Sequence, residues 1–307
     1  MSLRINNNIE SMNAHRNLLM NDRALSKSLE RLASGQKINR AADDPAALVI
    51  SEHMRAQVSG MKQAIRNNEV AISLVQTAEG SMNEISSILV SLRQRAISAA
   101  NVGASDQDMI DANQAEIENA LASIDRVVST TQFGHYKLLD GTNAAKTETN
   151  EDGSISTQEG LRFHVGPNAE HMASTSIRDM STSALGRVTV PEGEIPNKSN
   201  FMSLADIDVR NEQGAQDALA IIDQALTEVA SVRGELGAFQ KHTLESNLTS
   251  LQVAAENMTA AESTIRDTDM AQELATFTRN QIMTQSATAQ LAQANAMPQH
   301  VLRLLNG

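Results

Sequence analysis

The seven histidines of this 307-residue chain are the side chains best suited to acid–base or metal chemistry, and their spacing argues against both. His15, His53, His135, His164, His171, His242 and His300 are dispersed, and none begins a His-Glu-x-x-His helix, the arrangement that places zinc ligands and a general base on one face. No Gly-rich phosphate loop and no nucleophile elbow is present. Adjacent Asp43 and Asp44 have the composition of an acid/base pair, but no His or second acidic cluster accompanies them. A cap accounts for Asp44 better. It precedes Pro45, a residue suited to the first helical position, and its carboxylate can accept from the free N–H groups of a first turn. The chain has no Cys, which excludes disulfides and thiolate metal sites. The residues thus predict no catalytic site, no cofactor and no metal, and direct attention to packing.

Aromatic residues make up only 2% of the chain, with no Trp and one Tyr, so Ala, Leu, Ile, Val and Met must supply the core. These residues suit narrow helix seams better than wide globular cores. A net charge of −12 argues against nucleic-acid binding, which draws on an excess of Lys and Arg. The opening Met1-Ser2-Leu3-Arg4-Ile5-Asn6-Asn7-Asn8-Ile9-Glu10 has no apolar h-region, and no apolar run is long enough to span a bilayer. The expectation is a protein without a cleaved signal peptide and without membrane insertion.

The elements that any function must rest on are long helices. From Pro45 to Ala99 one stripe can be followed through Met54, Val58, Met61, Ile65, Asn68, Ile72, Val75, Glu79, Met82, Ser86 and Leu89, alternating steps of four and three. Such a rod is about 80 Å long and needs long partners. Before it, Ile5 to Leu32 reads as an amphipathic helix with Leu18, Leu25, Leu29 and Leu32 on one face, ended by Ser34-Gly35. After it, Ser105 and Asp108 form a partial capping box for a helix carrying Ile110, Ile117, Leu121, Ile124 and Val128 and ending near Thr131.

From Phe133 to about Asn200 the composition turns to Gly, Ser, Thr, Asn and Pro. Leu161 to Val165 and Arg187 to Val190 read as strands. Helical periodicity resumes near Gly214 with Leu219, Ile222, Leu226, Val229 and Leu236, slips phase around Gly234 to Gly237, and continues through Leu244, Leu248, Leu251, Ala255, Met258 and Ile265. This second rod matches the first in length and is expected to bury its seam against it. Met270, Leu274, Phe277, Ile282, Ala287, Leu291 and Ala294 mark a last helix, interrupted at Pro298 before Val301 to Leu305. Each end of the chain therefore carries an amphipathic segment that the rods do not cover. Segments of this kind imply association, and a head-to-tail contact that does not close makes a filament.

Four stretches resemble a known family. Leu32-Ala33-Ser34-Gly35-Gln36-Lys37-Ile38-Asn39-Arg40-Ala41-Ala42-Asp43-Asp44-Pro45-Ala46 is similar to the N-terminal signature of bacterial flagellins. Gln132 to Gly141, Ile265 to Ala271, and Leu291 to Asn295 with Pro298-Gln299 and Val301-Leu302 resemble later motifs of the same family, in the same order. The family's Asn-Gly is replaced here by Gly134-His135, and Ala47 stands where Gly is common.

The resemblance implies a mainly α fold: an elongated coiled-coil or helical bundle with a small β-hairpin region at the distal end and paired N- and C-terminal helices. Its expected parts are an inner-tube helix and connection (1–44), the two halves of a rod domain (45–140 and 211–266), a short β-rich variable region (141–210) and a C-terminal inner-tube helix (267–307). The implied role is a structural subunit of the bacterial flagellar filament. Self-assembly would run through Leu18, Leu25, Leu29, Leu32, Leu274, Phe277, Ile282, Leu291, Leu302 and Leu305. The implied partners are further copies, the flagellar export apparatus, a C-terminal export chaperone, and hook-associated junction and cap proteins. The filament would lie outside the cell, or in the periplasm of a spirochaete-like cell. A hook-filament junction protein is the alternative with similar ends. Some flagellins present a surface to an innate immune receptor; Arg93 and Glu116 match that pattern, whereas Ser91, Gln94 and Arg95 depart from it. Ser and Thr between Thr142 and Ser183 are candidate sites of O-linked sugar.

Overall fold

A computed structural model describes residues 8–101, 106–144, 146–149, 155–158, 160–187 and 197–305. Its helices are α1 (Ile9–Ser34), α2 (Pro45–Ala100), α3 (Gln107–Thr130), α4 (Glu212–Ala238), a π-helical segment (Phe239–Glu245), α5 (Ser246–Arg266) and α6 (Met270–Leu305). Two compact units divide the chain, one of Met1–Ser59 with Ala255–Gly307 and one of Gly60–Ala254. No described helix is long and apolar enough to cross a membrane.

In the Gly60–Ala254 unit, α2 and the α4–π–α5 run are antiparallel. Arg93 meets Asp223, Glu79 lies 3.9 Å from Arg233, and Asn68 and Asn247 both donate to the Val165 carbonyl, at 3.3 and 2.6 Å. The buried stripe of α2 contains the expected Met61, Asn68, Val75, Met82 and Leu89. The positions between them differ from the expected ones. Ala64, Ala71, Ala78 and Ile85 are buried, while Ile65, Ile72, Glu79 and Ser86 are half-buried. Hydropathy favours each Ile over the Ala before it, but the separation of packed helices is set by the side chains in contact. The contacts above set Ala71 and Ala78 beside the stretch between Arg233 and Asn247, so it is where that run lies, and not hydropathy, that puts each Ala inside and leaves Ile72 at the margin.

The phase slip in the second rod is real and local. Buried Ala215, Ala218, Ile222, Ala225, Val229, Val232 and Leu236 keep the heptad rhythm, and the next buried side chain is Leu244, eight residues on. The π-helical segment takes up that one extra residue, as single π turns do within α-helices. On α3, Ile110, Ile117, Leu121, Ile124 and Val128 are all buried, as the sequence predicts. Its N-cap is Asp106, which makes no side-chain capping bond; Ser105 of the expected capping box lies outside the described residues.

The β region consists of three antiparallel hairpins, β1 (Gln132–Phe133) with β2 (Tyr136–Lys137), β3 (Lys146–Thr149) with β4 (Ile155–Gln158), and β5 (Leu161–His164) with β6 (Met172–Thr175). The expected strand over Arg187 to Val190 falls largely outside the described residues. Gly134 has φ +63°, and His135 does not share a positive φ. A two-residue turn with positive φ only at its first central position follows the II′ pattern, whereas Asn-Gly would favour I′. Three amides attach the β5–β6 hairpin to the helices: Asn67 donates to the His164 carbonyl at 3.1 Å, and Asn68 and Asn247 to Val165.

Among the described residues of 177–209, seven buried apolar side chains complete the core, Ile177, Met180, Leu185, Phe201, Leu204, Ile207 and Val209. Helix carboxylates and one amide hold this segment. Asp125 accepts from the Thr182 N–H and hydroxyl, Glu228 from the Gly186 N–H, and Asp217 from the Ser199 N–H and hydroxyl. Gln114 on α3 accepts from the Val209 N–H at 3.0 Å and donates to the Ile207 carbonyl at 3.4 Å, acting as a short piece of partner strand.

Candidate assembly interface

In the unit of Met1–Ser59 with Ala255–Gly307, α1 and α6 pack as an antiparallel pair. Contacts run from Asn8 with Ala294, through Asn21 with Met283 and Ser28 with Asn280, to Arg31 with Glu273. The face of α1 turned to α6 carries Ser11, Ala14, Leu18, Asn21, Leu25, Ser28 and Leu32, at alternating steps of three and four. Its counterpart on α6 carries Glu273, Phe277, Asn280, Thr284, Ala287, Leu291 and Ala294. Six of these fourteen seam residues are polar. Glu273 is buried with one carboxylate oxygen unpartnered, and its contact with Arg31 is long, at 3.6 Å.

This seam divides the residues expected to drive assembly. Leu18, Leu25, Leu32, Phe277 and Leu291 are half-buried along the helix pair. Leu29, Leu274 and Ile282, expected on the same faces, are instead 54%, 56% and 58% exposed. They lie one or more residues off the stripe that meets the partner helix, which Ser28, Glu273 and Asn280 occupy in their place. The side chains of Leu302 and Leu305 lie outside the described residues, although the helix itself extends to Leu305. Ile9, Met12, Leu19, Met20, Met270, Met283 and Met297 are exposed as well. A helix pair that encloses Ser28, Asn280 and Glu273 while leaving Leu29, Leu274, Ile282 and several Met outside exposes surface that burial would stabilise, at about 1.5–3 kcal/mol per large side chain.

The expected interruption at Pro298 does not occur: α6 runs unbroken from Met270 to Leu305. Proline costs a helix an N–H donor and crowds the carbonyl four residues earlier, here that of Ala294. That carbonyl accepts from Asn8 Nδ2 at 2.8 Å, so a residue 286 positions away meets the need that Pro298 creates.

A small junction ties the pair to the start of α2 and the end of α5. Gly35, at φ +70°, ends α1 in the left-handed conformation with its N–H on the Arg31 carbonyl. Lys37 N–H then donates to the Arg266 carbonyl at 2.7 Å and Thr268 N–H to the Gly35 carbonyl at 2.9 Å. Arg266 reaches Glu52 at 2.6 Å, and this hydrogen bond holds the Glu52 carboxyl below the usual carboxylate range. Asp43 and Asp44 act as structural anchors here. Asp44 accepts from the Ala47 N–H at 3.0 Å and caps α2, which begins at Pro45. Asp43 lies 2.6 Å from Lys27 and accepts from the Arg40 and Asn39 N–H groups. The Lys27 hydrogen bond is the largest cause of a pKa lowered to about 2.

Arg93 and Glu116 are not brought together. Arg93 donates to Asp223 on α4 at 2.6 Å, which raises its pKa, and Glu116 pairs with Arg95 at 2.5 Å. The sequence could not locate the polar seam or the Asn8 contact, because both depend on which residues of the opposite terminus lie alongside.

A family model described as the bacterial flagellin N-terminal helical region matches residues 5–144, and one described as the C-terminal helical region matches residues 219–305. The chain belongs to the flagellin family. It is similar to the flagellin of Bacillus subtilis (strain 168), 40% identical over 313 residues that cover 99% of this chain and 100% of the relative. It is likewise similar to the flagellar filament 30.7 kDa core protein of Treponema maltophilum, 38% identical over 302 residues, 98% of this chain and 99% of the relative. A solved Vibrio parahaemolyticus structure with a flagellar hook-associated name superposes with a TM-score of 0.56 at 15% identity, over 73% of this chain and 100% of that one, which shows a shared fold alone. These flagellin relationships extend through the β region as well as the helical ends.

Proposed function

We propose that this flagellin is the structural subunit of a bacterial flagellar filament, polymerising through its terminal helices. Membership of the family and near full-length similarity to proteins named flagellin and flagellar filament core protein support this role. The observation that carries the mechanism is the distribution on α1 and α6, polar residues in the seam and Leu29, Leu274, Ile282 and several Met side chains outside it. Neighbouring copies would cover those side chains. In this reading residues 1–44 and 267–307 line the inner tube, residues 45–140 and 211–266 form the rod domain, and residues 141–210 form the short variable region.

The same reading makes Leu18, Leu25, Leu32, Phe277 and Leu291 the residues that form the helix pair. Leu29, Leu274 and Ile282 are those that join copies, with Leu302 and Leu305 extending the set. Export through the flagellar apparatus with a chaperone on the C-terminal segment, followed by contact with hook-associated junction and cap proteins, completes this reading. Whether the filament is extracellular or periplasmic follows from the cell that makes it. The role is structural and not catalytic. Names of relatives support the filament subunit over the hook-filament junction alternative.

The test compares polymerisation of the full chain with that of a chain lacking residues 1–40 and 267–307. The shortened chain should keep a cooperative helical melt, because the core of the Gly60–Ala254 unit is intact, and should stay monomeric. Filaments grown from the shortened chain would overturn the assignment of assembly to the ends.

A further inference from the structure

We propose that Asn8 is a register clamp for the terminal helix pair, acting on the one α6 carbonyl that Pro298 deprives of its donor. The inference rests on the filament reading only for its consequence, that assembly needs α1 and α6 aligned. Its structural basis is separate. Asn8 uses both ends of its side-chain amide: Oδ1 accepts from the Ser11 N–H at 3.1 Å and caps α1, while Nδ2 donates to the Ala294 carbonyl at 2.8 Å. Beside it, three residues along α1 and one along α6, the Ser11 hydroxyl donates to Asn295 Oδ1 at 2.6 Å.

Sliding α1 by a turn relative to α6 would offer Asn8 only carbonyls already bonded within the helix, and would leave Ala294 without a donor. Elsewhere the seam mixes Ser, Asn and Thr with Leu18, Leu25 and Leu32, which recur every seven residues and so fit more than one alignment along α6. A single site where one position alone is unsatisfied converts such a stripe into one alignment, as a lone polar residue fixes register in coiled coils. Asn8 is thus a positioning residue for assembly.

Two substitutions separate this role from simple capping. Asn8→Asp keeps the oxygen that accepts from Ser11 and removes the Nδ2 donor. Pro298→Ala returns a backbone N–H to the Ala294 carbonyl, so the clamp is no longer needed. With the full chain seeded by filament fragments, Asn8→Asp should raise the subunit concentration left at the end of assembly about fivefold, the scale of one hydrogen bond. In a Pro298→Ala background, where no α6 carbonyl singles out one alignment, the same Asn8→Asp substitution should change it by less than about twofold. Because the chain has no Cys, Ser11→Cys with Asn295→Cys gives an alignment readout in the soluble protein. Its oxidation yield should fall with Asn8→Asp, and should respond little to Asn8→Asp once Pro298→Ala is present.

An Asn8→Asp effect of undiminished size in the Pro298→Ala background, or an Asn8→Asp chain that matches the unaltered one in both readouts, overturns the clamp. Failure of the unaltered chain to polymerise would instead overturn the filament reading, while the oxidation yields would still decide the clamp.

Discussion

Lys27 Nζ lies 2.6 Å from Asp43 Oδ1, so a side chain of α1 is tied to the residue that immediately precedes the α2 cap. Asp43 has its pKa lowered to about 2 by that contact and by the Arg40 N–H. A carboxylate with a depressed folded-state pKa contributes stability that is present above its unfolded value, near 4, and lost as pH falls through its folded value. Helix content of the terminal pair should therefore drop between about pH 4 and pH 2. Asp43→Asn should remove on the order of 1 kcal/mol at neutral pH and flatten that part of the acid transition, measured by circular dichroism at each pH.

The shift of the α2 stripe by one residue makes a second test. Val75 is fully buried and Ile72 lies at the edge of the contact. Val75→Asp should cost about 3–5 kcal/mol or prevent folding, because the charge would be buried without a partner. Ile72→Asp should cost clearly less, since its side chain can turn to water. Equal losses in thermal melts would return Ile72 to the centre of the seam.

Gln114 supplies a third. Gln114→Leu conserves bulk but leaves the buried Val209 N–H and Ile207 carbonyl without their partner, at a cost of about 1–3 kcal/mol. Amide exchange at Val209 should accelerate while the α2 core remains protected. Unchanged exchange at Val209 would show that the segment is held by its apolar side chains alone.

Exposed and seam residues of the ends should respond differently. Leu274→Asp and Ile282→Asp should leave the melting curve of the soluble chain within about 0.5 kcal/mol, as expected of surface changes, yet abolish polymerisation. Phe277→Ala should weaken the soluble helix pair itself. Sedimentation of assembled material, set beside helix melting, distinguishes the two classes.

Charge is divided as sharply as apolarity. The unit of Met1–Ser59 with Ala255–Gly307 carries eleven Lys and Arg against eleven Asp and Glu, while Gly60–Ala254 carries fourteen against twenty-six and so the entire net charge of −12. Polymerisation of the proposed kind would bring copies of the like-charged Gly60–Ala254 unit near one another. Raising ionic strength from a few millimolar to about 0.15 M should therefore lower the residual subunit concentration, as screening shortens their repulsion to about 8 Å. Assembly that weakens with salt would place the dominant contacts between opposite charges.

The sequence by itself determined the long helices, the Asp44-Pro45 start of α2, the buried face of α3 and the existence of a phase slip, expected at Gly234 to Gly237 and found at Phe239–Glu245, because caps, breaks and periodicity are properties of neighbouring residues. The family motifs were legible in the same way. Tertiary structure alone decided which of two adjacent residues faces a partner. Ala71 lies inside and Ile72 at the margin because the position of the facing run, not hydropathy, selects between them. It also decided that Leu29, Leu274 and Ile282 point away from the helix pair, and that Asn8, 290 positions before Pro298, lets α6 pass through that proline. Local sequence shows a helix breaker there. The missing donor comes from the other end of the chain, and only folding brings it within reach.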